Sequence, residues 1–133
     1  IHHTQSVSQT DLRIQVVYPS DDFFLPIMCI HCEPVFCLQA CTHKAMEQDE
    51  QGIVRVIDNK CVGCMDCVKA CPTGGVTFAI SRATVVKCDL CDGDPACTRY
   101  CPTMAITYRQ ADPACATKYK QLIDVHLKDR VTR

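Results

Sequence analysis

Residues 60–72 carry the sequence KCVGCMDCVKACP, and this stretch sets the pattern for the whole chain. Its four cysteines follow the spacing C-x2-C-x2-C-x3-C and form the second quartet: Cys61, Cys64, Cys67 and Cys71. Gaps of two residues allow a tight loop to direct three thiolates at one centre. The fourth cysteine, which precedes Pro72, is expected to start a helix and to point toward a neighbouring centre.

This spacing is typical of bacterial proteins that bind a cubane 4Fe–4S cluster. The first quartet has the spacing C-x2-C-x4-C-x3-C and consists of Cys29, Cys32, Cys37 and Cys41. The third quartet has the spacing C-x2-C-x5-C-x3-C and consists of Cys88, Cys91, Cys97 and Cys101. CPTGGVTF after the second quartet matches CPTMAITY after the third, and CTHKAM after the first is a looser copy. The repeat predicts a unit of cysteine loop, short helix carrying the fourth cysteine, and small hairpin.

Cysteine accounts for 13 of the 133 residues, a density expected only of disulfide scaffolds or metal proteins. Without the cysteines, the apolar fraction falls from 47% to about 37%, below the roughly 45–50% that is usual for globular domains. The hydrocarbon core is therefore thin. We expect bound metal to supply part of the cohesion and the apo protein to be poorly folded, because binding energy at such sites is folding energy.

Structural zinc and disulfides are the two alternatives to iron–sulfur clusters. Zinc sites use paired CxxC knuckles with a longer spacer, whereas each quartet here supplies four cysteines within 14 residues or fewer. The odd number of cysteines and the lack of a visible signal peptide disfavour a secreted disulfide scaffold. Reduced thiolates in a cytoplasmic protein fit the sequence better.

The sequence predicts an α+β fold, in which a ferredoxin-like module of the bacterial 2x4Fe-4S type is repeated and followed by a C-terminal helix. An N-terminal strand and lead-in are expected in residues 1–28, a central two-cluster module in 29–80, a third-cluster half-module in 81–111 and the helix in 112–133. Alternating or β-branched stretches predict strands at residues 12–18, 53–57, 76–80, 84–86 and 105–108.

Local signals mark the elements at the two ends of the chain. Residues 19–22, PSDD, predict a turn, and the apolar residues Phe23, Phe24, Leu25 and Ile27 after it are interpreted as core. Asp112 and Pro113 look like the N-cap and first position of a helix that runs to about residue 128. One face of this helix carries Cys115, Tyr119, Leu122, Ile123 and His126.

Electron transfer is the function that these features favour. The formal charge of −1 gives no basic footprint for nucleic acid, and no apolar run approaches the roughly 20 residues of a membrane span. Each quartet supplies a full set of four thiolates, so no iron is left open for a substrate. A free-standing polyferredoxin shuttle, a zinc-stabilised interaction module and a catalyst with a substrate at an open iron remain as alternatives.

The chain resembles the polyferredoxin subunits that serve molybdenum and tungsten oxidoreductases and some hydrogenases. The resemblance covers residues 10–108 and rests on LRIQVV, PIMCIHCEPVFCLQAC, KCVGCMDCVKACP and KCDLCDGDPACTRYCP in that order. KCDLCDGDPAC looks most like subunits that accompany tungsten enzymes of the aldehyde:ferredoxin oxidoreductase type, including class II benzoyl-CoA reductase. The resemblance implies a large catalytic partner with a tungsten or molybdenum pterin, and further redox subunits.

The family rule exchanges the fourth cysteines of paired quartets, and this implies the ligands of three 4Fe–4S clusters. The first cluster has the ligands Cys29, Cys32, Cys37 and Cys71 (site 1). The second has the ligands Cys41, Cys61, Cys64 and Cys67 (site 2). The third has Cys88, Cys91 and Cys97, with Cys101 as the local candidate for its fourth ligand. Cys115 is interpreted as a buried cysteine of the helix, with ligation of the third cluster as the alternative.

The start of the chain departs from the family. Family members have another quartet before a segment that resembles residues 1–4, IHHT. Its absence implies either a three-cluster variant or a sequence recorded without its beginning, and in the second case Cys101 would serve the additional cluster.

Other polar residues near the cysteines are expected to have supporting roles. His31 and His43 are expected around the clusters or at the surface, and His126 in packing. The carboxylates of Asp89, Asp92 and Asp94 would lower the potential of the third cluster if they lie close to it, and otherwise they belong to a solvated loop.

Overall fold

Three antiparallel hairpins carry the β-structure of this computed structural model, which describes residues 11–109 and 113–127. The first hairpin joins β1 (Ile14–Ser20) to β2 (Phe23–Met28), the second joins β3 (Met46–Gln48) to β4 (Val54–Val56), and the third joins β5 (Val76–Ala79) to β6 (Thr84–Lys87). Each hairpin is a separate two-stranded sheet. Such a small unit is marginally stable by itself, so the hairpins depend on what they pack against.

The first hairpin corrects the expectation of a simple lead-in. Ile14 pairs with Met28, and the turn is confined to Asp21 and Asp22, so β1 extends through the predicted turn residue Pro19. Leu25 and Ile27 are buried as expected. Phe24 was wrongly assigned to the core, because alternation along β2 places it on the solvent face, where it is 59% exposed and packs edge-to-face on Tyr18.

Three short helices follow the cysteine loops: α1 (Phe36–Gln39), α2 (Asp66–Ala70) and α3 (Ala96–Arg99). Each carries the third cysteine of its quartet, and the fourth lies just after the helix ends. The prediction that the fourth cysteine starts or lies within the helix is therefore wrong. At Cys71 the backbone is extended (φ −75°, ψ 114°), because a residue that precedes proline is disfavoured in the helical region.

The core consists largely of cysteine and small aliphatic side chains. One cluster of buried residues contains Cys37 from α1, Cys67 from α2, Met46, Val54, Val76 and Val85. The second and third hairpins each contribute one residue from each of their two strands. The thin core expected from the composition is thus organised around two of the predicted ligands.

Two predictions about strands need correction. Strand β3 was not predicted, because three residues, MEQ, are too short to show alternation. Residues 105–108, predicted as a strand, form none, because no other segment of the described residues pairs with this stretch. The predicted strands at 53–57, 76–80 and 84–86 are present with ends shifted by at most one residue.

The C-terminal helix, α4 (Pro113–Leu127), packs on the first hairpin. The Tyr119 hydroxyl donates to the carbonyl oxygen of Pro26 at 2.6 Å and accepts from the N–H of Met28 at 3.0 Å. The His126 ring lies 4.6 Å from that of Phe23, which agrees with its expected packing role. Leu122, predicted on the same face, is 45% exposed. The predicted N-cap Asp112, the side chain of Cys115 and the end of the helix near residue 128 lie outside the described residues.

Candidate metal centres

The three cysteine loops share one backbone conformation. The second residue after the first cysteine of each quartet has a positive φ: 48° at His31, 70° at Gly63 and 54° at Leu90. This turn directs the N–H of His31 toward Cys29 Sγ at 3.5 Å and the N–H of Leu90 toward Cys88 Sγ at 3.4 Å. Backbone N–H groups that face a sulfur atom favour its thiolate form.

A second shared conformation follows each fourth cysteine. The third residue after it has a positive φ, which is 51° at Lys44, 70° at Gly74 and 51° at Met104. In the first loop, the N–H of Ala45 donates to Cys41 Sγ at 3.2 Å. In the other two, a threonine hydroxyl lies near the sulfur: Thr73 is 3.6 Å from Cys71, and Thr103 is 3.5 Å from Cys101.

Site 1 combines three cysteines of the first quartet with Cys71 of the second. Burial raises the pKa of the Cys37 thiol, Lys87 opposes this, and the charges of Cys29, Cys32 and Cys71 raise it further. Burial also raises the pKa of Cys32, with Cys29 and Cys71 adding to the effect. These four sulfur atoms therefore lie close enough for their charges to interact.

Site 2 is a pocket of about 280 Å³, which includes the space at its open mouth. Its wall contains the four cysteines Cys41, Cys61, Cys64 and Cys67. Burial raises the pKa of Cys67 to about 11, and the neighbouring charges of Cys41 and Cys64 contribute in the same direction. Cys41 is thus placed with three cysteines of the second quartet.

The donor sets of both sites fit an iron–sulfur cluster. Four thiolates are the ligands of a 4Fe–4S cube, and they are soft donors suited to such clusters. Thiols whose pKa is raised by burial and by one another keep their protons until a cationic centre offsets their charge. In the described part of the chain, no three His, Cys, Asp or Glu side chains are arranged to hold a metal ion. A cube separates its ligands more widely than a single ion does.

The third quartet lies against site 1. Burial raises the pKa of Cys88 to about 11, and the charge of Cys29 adds to this effect, so these two cysteines are near each other. Cys91 has a positive φ of 48°, and Cys97 lies on α3. Cys101 differs: the Thr103 hydroxyl, assisted by the N–H groups of Ile106 and Ala105, lowers its pKa to about 7.

Arginine side chains accompany the three aspartates of the third loop. Asp89 also accepts a hydrogen bond from the N–H of Cys91 at 3.0 Å and so fixes the loop. The ion pairs are Asp89 with Arg13, Asp92 with Arg55, and Asp94 with Arg99. All three carboxylates are paired, but Asp92 and Asp94 are largely exposed, as in a solvated loop, and only Asp89 is mostly buried.

His43 is exposed at the edge of site 2, as expected. His31 is different. Both of its ring nitrogens are buried and have no hydrogen-bond partner among the described residues. Burial, assisted by the charge of Lys87, lowers the pKa of His31 to about 4, so the ring is neutral. The backbone of His31 has a φ of 48° at this turn of the loop.

Lys87 is the residue near these sites that the sequence did not reveal. Its side chain is buried, with 3% exposure, and its Nζ donates to two backbone carbonyl oxygens. Lys60 stands at the same place relative to the second quartet and is exposed. The sequence therefore contained no signal that distinguished the two lysines.

Gly75→Ala should destabilise the protein by about 3 kcal/mol or more and reduce iron content. A Cβ atom at this position would lie 2.4 Å from both N and Cα of Cys29 and would displace the backbone of site 1. Thermal unfolding and iron analysis of the metal-loaded variant measure the effect. Gly52→Ala is the control, because its φ of +83° brings strain of about 1 kcal/mol without a clash. Equal destabilisation by both would contradict the explanation.

Comparison with known proteins matches residues 20–111 to a family described as a 4Fe-4S dicluster domain. The beta subunit of selenate reductase from Thauera selenatis is 43% identical over 70 residues, 52% of this chain and 21% of that protein. A polyferredoxin-like subunit of aliphatic sulfonate oxidoreductase from Pyrococcus furiosus is 36% identical over 87 residues, which are 65% of this chain and 49% of that protein. The B subunit of anaerobic dimethyl sulfoxide reductase from Escherichia coli is 38% identical over 69 residues, which are 52% of this chain and 34% of that protein.

The matched segments span half or less of the length of these three relatives. All three are subunits of reductases or oxidoreductases. Within the described residues, none of the helices combines the length and the apolar character needed to cross a membrane.

Proposed function

This chain belongs to the family of 4Fe–4S dicluster domains, and we propose that it is an electron-transfer subunit of an oxidoreductase complex. It passes electrons through three 4Fe–4S clusters to or from a large catalytic subunit that holds a molybdenum or tungsten pterin, and it has no catalytic site of its own. We place it in the cytoplasm. Its relatives support a role as a subunit rather than as a separate enzyme.

The observation that carries this proposal is the exchange of Cys41 and Cys71 between the two quartets. Cys71 interacts with the thiols of site 1, and Cys41 lies in the wall of site 2. Such an exchange is what two-cluster ferredoxins use to hold a pair of neighbouring clusters. The matching turns at Gly63 and Gly74 in the second loop, repeated around the first and third quartets, support the repeated module.

The neighbouring charges also support an order for the three proposed sites. The charge of Cys37 acts on Cys67, which joins site 1 to site 2, and the charge of Cys29 acts on Cys88, which joins site 1 to the third quartet. Site 1 therefore lies between the other two. A cluster bound there would supply one-electron transfer, and the N–H groups and hydroxyls around the sulfurs would hold its ligands in place.

The tungsten partner is the more specific part of the proposal. The form KCDLCDGDPAC at residues 87–97 supports a partner of the aldehyde:ferredoxin oxidoreductase type, with class II benzoyl-CoA reductase as the specific case. The selenate and dimethyl sulfoxide reductase relatives support the broader class of reductases equally well. Metal analysis of the native complex separates these possibilities.

The test is the iron, sulfide, zinc, molybdenum and tungsten content of the protein purified without oxygen from its native host. We expect about twelve irons per chain, as three cubanes require, and a large subunit that co-purifies with molybdenum or tungsten. About sixteen irons would indicate a fourth cluster. A loaded monomer that exchanges electrons fully without a large subunit would favour the free shuttle instead. Zinc without sulfide would overturn the electron-transfer function.

A further inference from the structure

Lys87 places a buried amine at the end of strand β6. Its Nζ donates to the carbonyl oxygen of Val54 at 2.9 Å and to that of Cys88 at 3.1 Å. Both acceptors are backbone groups without formal charge. A charged group with 3% exposure that has such partners keeps much of its field, because little water surrounds it.

The position of Lys87 connects two of the proposed clusters. It directly precedes Cys88, and in the β5–β6 hairpin it pairs with Val76, which packs in the same core cluster as Cys37. Its charge lowers the pKa of Cys37, of Cys88 and of His31. All three effects favour a more negative environment at the junction of site 1 and the third quartet.

Site 2 has no comparable group in its wall. Apart from its cysteines, the described residues that line it are His43 and the apolar residues Ala45, Met46, Val62, Met65 and Val85. Lys60, which precedes the second quartet as Lys87 precedes the third, is exposed to water. The two neighbouring sites therefore have the same ligand type but different surrounding charge.

We propose that Lys87 sets the potential of the relay: its buried ammonium group raises the reduction potential of the site 1 cluster above that of the site 2 cluster. An added electron makes a cluster more negative, so a nearby positive charge stabilises the reduced form, and more strongly in a medium of low dielectric constant. Site 1 then holds the electron in preference to site 2. This inference rests on the proposed function.

A purely structural role is the competing explanation, since the hydrogen bond from Nζ to the carbonyl oxygen of Val54 ties β6 to β4. The two explanations differ in whether the charge of Lys87 changes the potential of the site 1 cluster. Lys87→Gln removes the charge and keeps a hydrogen-bond donor, whereas Lys87→Arg keeps the charge. Lys60→Gln removes a charge at the equivalent exposed position and is the matched control.

The experiment is a redox titration of the metal-loaded variants without oxygen, followed by electron paramagnetic resonance. The site 1 signal is assigned by its loss in Cys29→Ala. We expect a lower potential for site 1 in Lys87→Gln at unchanged iron content, a nearly unchanged potential in Lys87→Arg, and no shift in Lys60→Gln. An unchanged site 1 potential in fully loaded Lys87→Gln, or an equal shift at sites 1 and 2, would overturn the proposal.

Lys87→Met, which fills the same buried volume without charge, covers the case in which Lys87→Gln fails to load. Loss of iron from both neutral variants would assign Lys87 to assembly and overturn its role in setting the potential. A purified wild-type protein without sulfide would overturn the proposed function as well. An unchanged site 1 potential in a Lys87→Gln protein with full iron and sulfide content would overturn the role of Lys87 alone.

Discussion

Replacing Cys71 with alanine is expected to abolish the cluster of site 1 and to leave the cluster of site 2 in place. Cys71 belongs to the second quartet in sequence, but its charge acts on Cys32 and Cys37 of the first. Removing this thiolate leaves one corner of the site 1 cube without its ligand. The loss should amount to about four irons per chain.

The measurement compares the electron paramagnetic resonance spectra of single cysteine variants, because variants that remove ligands of the same cluster lose the same signal. The electron paramagnetic resonance spectrum of reduced Cys71→Ala should lack the same signal as Cys29→Ala and should retain the signal that Cys61→Ala lacks. Cys41→Ala is the reciprocal control, because Cys41 lies with Cys61 in the wall of site 2. If Cys71→Ala instead grouped with Cys61→Ala, each quartet would bind its own cluster and the exchange would be wrong.

Removal of iron is expected to unfold most of residues 11–109. The core cluster has six residues, and two of them are the predicted ligands Cys37 and Cys67. Binding free energy at structural metal sites is on the order of 10 kcal/mol, comparable with the roughly 5–15 kcal/mol that stabilises an ordinary domain. Two-stranded hairpins of three or four residues per strand have little stability to replace it.

Circular dichroism follows this loss. Treatment with a chelator under reducing, oxygen-free conditions should eliminate the cooperative thermal transition, and restoring iron and sulfide should return it. The same chelator already saturated with iron is the control for non-specific effects. A chelated protein that still melts cooperatively at its original temperature would show that the hydrocarbon core suffices.

The sequence predicted those parts of the fold that have local causes. Val76–Ala79 and Thr84–Lys87 form the expected hairpin because β-branched residues flank a short polar turn. Helix α4 matches its apolar spacing, although Leu122 faces solvent. The cysteine quartets were visible because a cluster imposes spacing on the chain itself, so their number and order needed no tertiary information.

Features with non-local causes escaped prediction. Residues 105–108 have the composition of a strand, but a strand also needs a partner, and composition does not supply one. The burial of Lys87 depends on the carbonyl group of Val54 in β4, 33 residues earlier in the chain. Likewise, no pattern of hydrophobicity records the left-handed turn at His31 or the burial of both its ring nitrogens.

The exchange of Cys41 and Cys71 also has a consequence for biosynthesis. A nascent chain that has emerged only as far as the end of the first quartet contains three ligands of site 1 and one of site 2. Neither cube can be completed until residues 61–71 have left the ribosome. If the ligands are exchanged as proposed, neither cluster is inserted before the second quartet is available, and the machinery that delivers iron and sulfide must keep the earlier thiols reduced until then.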